Sequence, residues 1–395
     1  MEEMLKFAPR PTGAGHMFQM LRDREPRTRA DLAAATGQAR STIAARIDLL
    51  MAAGLIVPAG EATSTGGRPP ATFAFNPAAK VVLAVDLGAM HARIALTDLA
   101  GQILSEDDAP LAIAEGPDAV LGWVADRGDA LLAASGWGHD RLAGVGVGLP
   151  GPVEHSTGHP IMPPIMPAWD QVDAPGILGR HFDAPVLVDN DVNVMALGEH
   201  RTAWSNVDNI LFVKVATGIG SGIVADGTLT RGAQGAAGDI GHIAVMGAEE
   251  VPCRCGNFGC LEAIASGQAV ADKLRAEGLD AERGSDVIRL VRSGNLAASA
   301  AVRQAGRDIG IVLAACVSML NPSLIVIGGV LADAGEHLIA GIREVVYRRS
   351  LPLATQHLRI VTSETGGKAG VLGASAMVVD HVLSPDAIDA IAGSV

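Results

Sequence analysis

The strongest constraint on how this chain folds is a pattern that occurs twice. Val81–Asp86 is a continuous apolar run, followed by the small-residue turn Leu87-Gly88-Ala89. A second segment, His91–Thr97, a turn at Asp98–Gly101 and a third segment, Gln102–Ser105, complete the unit. About 130 residues later, Ile210–Ala216 is apolar and Thr217-Gly218-Ile219-Gly220-Ser221-Gly222 reads as a glycine-rich turn. Ile223–Ala225, the turn Asp226-Gly227 and Thr228–Thr230 follow. Short apolar runs bounded by glycine predict buried strands. A unit that occurs twice predicts two similar α/β lobes with a cleft between them. Small-residue turns at strand ends leave backbone N–H groups open, which suits phosphate. One such turn is a weak signal, but two in register carry weight.

Composition agrees with that architecture. The chain is 49% hydrophobic and 18% charged, too apolar to be disordered as a whole. Its 48 glycines and 3% aromatic content suit helices packed on buried parallel strands. The net charge of −13 argues against a general nucleic-acid coat, but the charge is uneven. Residues 1–80 hold ten Lys/Arg and seven Asp/Glu, whereas residues 81–395 hold twenty and thirty-six. An acidic body repels DNA and would confine any contact with it to the mildly basic head. Glu2 and Glu3 do not open a signal peptide. The most apolar stretch, Ile309–Ala332, is split by Asn321-Pro322 into a helix and the short strand Leu324–Ile327, so no membrane span is expected. Three of the four cysteines fall within eight residues, which points to a metal site in a cytoplasmic protein rather than to disulfides.

The head, within residues 1–78, shows three helical patterns. The first is His16–Arg24; the second opens at Thr28, three residues before Asp31, and runs through Ala35. Gly37 supplies a turn, and a third helix runs from Arg40 to Ala53 with Gly54 as its stop. Ile43, Ile47 and Leu50 form its buried stripe, and Ser41, Ala44, Ala45 and Asp48 its outer face. Ala39 stands where a Ser or Thr would cap it better. Leu55–Val57 and Ala71–Phe75 read as strands flanking Gly66-Gly67-Arg68-Pro69-Pro70. Together these predict a winged helix-turn-helix. Arg40, Ser41, Thr42 and Arg46 would read a major groove, and Arg68 would enter a minor groove. The same elements also suit a helical bundle that pairs with protein.

Cys253-Arg254-Cys255 and Cys260, with His242 eleven residues upstream, offer three thiolates and an imidazole. That donor set predicts a closed tetrahedral structural zinc site. Asp191 follows the strand-like run Val186–Val188 and would project from a strand end, where a carboxylate can bind or activate a hydroxyl.

The whole chain resembles the ROK family (repressors, open reading frames and kinases), and its repressor branch in particular. The motifs are Gly148-Leu149-Pro150-Gly151-Pro152-Val153, Asp189-Asn190-Asp191-Val192-Asn193, the stretch Ala216–Ile243 and Cys253–Glu262, in that order. The resemblance implies an actin-like, ribonuclease-H-like ATPase fold. It places a first lobe at 79–188, with a C-terminal helix near 370–395 returning to it, and a second lobe at 189–369 holding the zinc. It further implies that Asn190, Asp191, Asp239, His242 and Glu262 contact a sugar. In the family's kinases the residue matching Asp191 is the general base. The residue matching His242 touches the sugar through the ring nitrogen that does not bind metal.

Four departures separate this chain from those kinases. Ala89-Met90-His91 replaces the Gly-Thr-Lys of the first phosphate turn, which removes a hydroxyl donor and adds bulk. Ile165 stands in place of a sugar-binding Asn, and Asp239 in place of a Glu. The kinases lack the head. The expected protein is therefore a sugar-responsive repressor, a homodimer or homotetramer on a palindromic operator in double-stranded DNA, released by a sugar or sugar derivative. ATP and magnesium are not expected to bind. An ATP-dependent sugar kinase with Asp191 as base is the alternative, since the second phosphate turn is intact and Gly328-Gly329 resembles the adenosine-side motif. A zinc-stabilised assembly protein is a third reading.

Overall fold

The computed structural model describes residues 13–61 and 69–393. Arg68, expected in the wing, lies outside them. The head consists of α1 (Ala14–Gln19), β1 (Arg27–Thr28), α2 (Arg29–Thr36), α3 (Arg40–Ala52), β2 (Ile56–Glu61) and β3 (Ala71–Phe75). Its strands pair antiparallel in the order β1-β3-β2. α1 ends short of the expected Arg24, because the chain turns after Gln19 and Arg24 adopts φ 67°. The Thr28 capping box forms in both directions. Thr28 Oγ1 accepts from the Asp31 N–H at 3.1 Å, and Asp31 accepts from the Thr28 N–H at 2.9 Å. Ile43, Ile47 and Leu50 are buried on α3, whose N-cap Ala39 offers no side-chain bond. β1 was not legible: two residues carry no alternation.

The body contains the repeated unit. In the first lobe, β4 (Val81–Leu87), β5 (Ala92–Asp98) and β6 (Ile103–Ala109) form an antiparallel meander. After α4 (Pro117–Ala134) comes β7 (Leu142–Leu149), parallel to β4. The hairpin β8 (Val153–Glu154) and β9 (His159–Pro160) leads to α5 (Ala174–Phe182) and β10 (Val186–Asn190), parallel to β7. Then α6 (Asp191–Ala203) precedes β11 (Ile210–Val215), β12 (Ile219–Ala225) and β13 (Thr228–Thr230). A long loop leads to α7 (Leu261–Ala265), α8 (Gly267–Ala276), α9 (Gly284–Arg292), α10 (Leu296–Leu320), β14 (Leu324–Gly328), α11 (Glu336–Arg349), α12 (Pro352–Thr355) and β15 (Arg359–Thr362). The sheet orders, β10-β7-β4-β5-β6 and β13-β12-β11-β14-β15, are one topology used twice.

Two boundaries differ from expectation for physical reasons. β6 continues to Ala109 through Glu106, Asp107 and Asp108, because it is a half-exposed edge strand that needs no apolar run. β12 begins at Ile219, so Gly220 and Gly222 are strand residues, not turn residues. A Cβ on Gly222 would lie 2.6 Å from the Ala196 Cβ and 2.8 Å from the Val192 carbonyl oxygen. That glycine serves the close approach of α6 to the sheet.

The last helices tie the parts together. α13 (Ala369–Val382) returns to pack on α6 and on β4 and β7. The two helices touch backbone to backbone: a Cβ on Gly373 would sit 1.7 Å from the Val194 carbonyl oxygen, and one on Gly198 would sit 2.1 Å from that of Ala369. α14 (Pro385–Gly393) packs on α1 and α3. One apolar core therefore joins Phe18, Leu21, Ile43 and Ile47 of the head to Val82, Ala143, Val378 and Leu383 of the body. Among the described residues no single helix is long and apolar enough to cross a membrane. α10 ends at Asn321, which takes φ 46°, as the Asn-Pro signal predicts.

Candidate functional site

A cavity of about 740 Å³ separates the lobes. It receives residues from both copies of the repeated unit: Asp86, Met90 and His91 from the first, Lys214 and Thr217–Gly220 from the second. Asn190, Asp191, Asp239, His242 and Glu262, named from the sequence, all line it. The structure thus brings these five together, although they span 73 positions of chain.

Their local roles differ. Asn190 ends β10 and is the N-cap of α6. Its Oδ1 accepts from the Val192 N–H at 3.0 Å, and its Nδ2 donates to the Gly151 carbonyl at 2.9 Å. Asn190 therefore caps α6 and fixes where that helix begins. Asp191 is the first residue of α6, 4% exposed, so its carboxylate meets the favourable end of the helix dipole. Glu262 accepts from the Ile219 N–H at 3.1 Å and holds the second small-residue turn. Asp239 is exposed at the cavity wall. Neighbouring Asp189 is fully buried, bonded to Arg231 at 2.6 Å and to Asn193 at 3.0 Å, and serves to lock β10 to the second lobe.

Sequence reasoning missed Lys214. Its ammonium lies 2.5 Å from Asp191 Oδ2, and its side chain is only 15% exposed. The signal was present as the one charged residue inside the apolar run Ile210–Ala216. Burial opposes its charge, but Asp191 and Asp86 outweigh that and hold its pKa above the ordinary lysine value. Burial pushes the Asp86 carboxyl up, and Lys214 draws it back. Met90, 61% exposed, and Ile165 both stand at the cavity, where the kinase pattern has a donor and an amide.

Beside the cavity, His242, Cys253, Cys255 and Cys260 place one donor atom each within 4.8 Å of one another. Cys253 Sγ is 3.7 Å from His242 Nδ1, and the sulfurs of Cys255 and Cys260 are 3.7 Å apart. A tetrahedral ion with sulfur arms of about 2.3 Å has edges of about 3.8 Å, so the cluster fits a metal ion of that geometry. The backbone N–H of Asn257 holds the Cys255 thiol down to about 7, and burial pushes Cys260 up to about 12. Nδ1 is the imidazole nitrogen on the sulfur side. Nε2 is the nitrogen left for the cavity.

On the head, Arg40, Ser41 and Thr42 are exposed at the start of α3. Arg46 is half-buried and bonds Gln38. Asp48, on the same face, lies 3.7 Å from Arg29. The face is small and polar, as its composition predicts.

A duplicated α/β body with a polar interlobe cleft, carrying a winged helix, defines the actin-like, ribonuclease-H-like class with an added head. The chain belongs to the ROK family, whose model matches residues 82–381. It is 30% identical over 359 residues to the xylose repressor of Caldicellulosiruptor bescii, covering 87% of this chain and 90% of that one. The crystal structure of a ROK family transcriptional regulator, a homologue of the E. coli MLC protein, is similar with a TM-score of 0.82 at 26% identity, over 97% of this chain and 98% of its own. A ROK family glucokinase from Streptomyces griseus, solved with glucose and AMPPNP, gives 0.65 at 29% identity, over 75% of this chain and 98% of its own.

Proposed function

We propose that the protein is a sugar-responsive transcriptional repressor of genes for carbohydrate uptake or catabolism, working in the cytoplasm. One observation carries the reading: the similarity to a transcriptional regulator runs over 97% of the chain, whereas the glucokinase leaves a quarter of it unmatched. That unmatched quarter is large enough to hold the winged helix of residues 1–78. Arg40, Ser41, Thr42 and Arg46 would contact operator bases and phosphates, with Arg68 at the wing. A homodimer or homotetramer would present paired heads to a palindromic operator. Asp191, Asp239, His242 and Glu262 would bind the hydroxyls of a sugar or sugar derivative, and Asn190 would position them through the cap of α6.

The metal is zinc on this reading, held by His242, Cys253, Cys255 and Cys260. When bound, it supplies a fixed charge and holds the thiolates deprotonated. Coordination through Nδ1 leaves Nε2–H of His242 pointing a single donor at the ligand. A sugar that binds the closed arrangement of the lobes more tightly than the open one would shift α6 and α13 and respace the heads.

The kinase reading is favoured by the glycine-rich segment Thr217–Gly220, which lines the cavity, and by the glucokinase similarity. It is opposed by Met90 and by the ammonium on Asp191. Calorimetric titration against monosaccharides, amino sugars and their phosphates, with ATP in parallel, separates the two. Sugar binding without ATP, followed by sugar-dependent release from operator DNA, supports the repressor. ATP turnover that needs a sugar and is lost in Asp191→Asn overturns it.

A further inference from the structure

The three charged groups at the base of the cleft form a unit of their own. Asp86 on β4 pairs in register with Gly148 of β7, and Gly148 in turn with Asp189 of β10. Asp191 stands two residues further on, its Cα 3.4 Å from the position a Gly148 Cβ would take. The two carboxylates thus line one cavity, Asp86 from β4 and Asp191 from the start of α6 just past β10, with β7 between those strands. Lys214 reaches across from β11 of the second lobe and bonds Asp191 at 2.5 Å. His91 lies 4.0 Å from Asp86 on the other side. A Cβ on Gly370 of α13 would meet the Asp86 carboxyl at 2.2 Å, so Asp86 cannot turn away toward that helix.

Two buried carboxylates facing one space repel each other unless a cation lies with them. In phosphoryl transfer that cation is a divalent metal, held by one or two carboxylates and by the substrate's phosphates. Here a lysine already offers the charge. We propose that the Lys214 ammonium is a tethered cation that takes the place of a divalent metal beside Asp86 and Asp191, so that the cleft engages its ligand without metal and rejects a metal–nucleotide complex. A metal ion approaching these carboxylates meets a like charge that cannot leave. One carboxylate oxygen of Asp191, Oδ2, is occupied by the same group. Lys214 also ties β11 to the start of α6 without any ion from solution.

The inference deepens the sugar reading of the same cleft, but the cation claim rests on three side chains and can be tested without a sugar. The probe is Mn2+ added to zinc-loaded full-length protein, with free Mn2+ followed by electron paramagnetic resonance. Lys214→Ala should gain a Mn2+ site roughly tenfold or more tighter than anything in the wild type, as expected when the net negative charge of a carboxylate site rises. Methylammonium, which can refill the vacated space, should compete with that Mn2+. The double variant Lys214→Ala with Asp86→Asn should lose the site. A lysine that is merely structural would give none of these three results. Equal Mn2+ binding by wild type and Lys214→Ala overturns the proposal. If Lys214→Ala loses its near-ultraviolet circular dichroism, Lys214→Gln, neutral and of similar length, takes its place with the same outcomes. A sugar panel without any binder would overturn the ligand reading and leave the Mn2+ result standing.

Discussion

Arg22, just past the end of α1, donates to Asp380 on α13 at 3.2 Å. The other oxygen of that carboxylate accepts from Arg201 on α6 at 2.6 Å. One acidic side chain therefore joins the head, the returning helix and the helix whose first residue is Asp191. These groups are 29–48% exposed, so each pair contributes only about 0–1 kcal/mol to stability. Their value is geometric. Asp380→Ala should lower the melting temperature slightly and leave ligand-free operator affinity near that of the wild type. It should weaken the ligand-driven release from operator. Fluorescence anisotropy of labelled operator, titrated with the ligand, reads this directly. An unchanged ligand response would show that coupling runs through the apolar core instead.

The contact of α6 with α13 sets a harder limit. Gly373→Ala would put a methyl 1.7 Å from the Val194 carbonyl oxygen, which is backbone and cannot swing aside. Overpacking costs about 1–3 kcal/mol, and a rigid partner places this case at the top of that range. Gly122→Ala on α4 meets nothing within 4 Å. There the helix preference for alanine should stabilise by about 0.5–1 kcal/mol. Thermal unfolding of the two variants should shift in opposite directions. A Gly373→Ala melting temperature equal to that of the wild type would mean the helices are not held as close as the structure shows.

Local spacing decided what was legible in the sequence. The duplicated strands, the Thr28 capping box and the stripe Ile43, Ile47, Leu50 were readable because each depends on local spacing. The His/Cys donor cluster was readable because its residue types are rare and closely spaced. Gly220 and Gly222 were misread as turn because glycine has the same appearance in a turn as at a close packing contact. The reach of β6 past Ser105 was hidden because an edge strand can carry charges. Lys214 was overlooked because its meaning depends on Asp86 and Asp191, which are 128 and 23 positions away. The joining of the head to α14 has no local signal at all.

Removal of the proposed zinc should disable the cleft before it unfolds the lobe. A chelator would release His242 from its orientation, and Cys260, buried and pushed up to about 12, would take up a proton. Ligand affinity should fall at least as far as in Cys260→Ala, while the head keeps its helices. Because thiolates are the ligands, affinity for the ion should weaken steadily as pH falls below neutrality. Calorimetry of ligand binding before and after chelation, with zinc added back, checks this. Unaltered ligand binding in the stripped protein would detach His242 from the site.

His200 on α6 contributes to the pH dependence of stability near neutrality, alongside His91 and His155, which burial shifts in the same direction. It is 3% exposed, and burial, aided by nearby Arg201, lowers its pKa from the ordinary 6.5. The unfolded chain therefore binds a proton at a pH where the folded protein does not. Stability is unaffected by this group well above pH 6.5 and is lost as pH falls through that value, by up to about 1.4 kcal/mol per unit, until the folded imidazole itself titrates. His200→Gln removes the titration and should flatten the profile just below pH 6.5 relative to wild type, whatever its effect at pH 8. Urea unfolding at a series of pH values measures it, with the zinc site kept loaded. Parallel profiles for the two proteins would assign the acid sensitivity to another group. A flattened profile would identify α6, the helix that begins at Asp191, as the element whose packing acid weakens first.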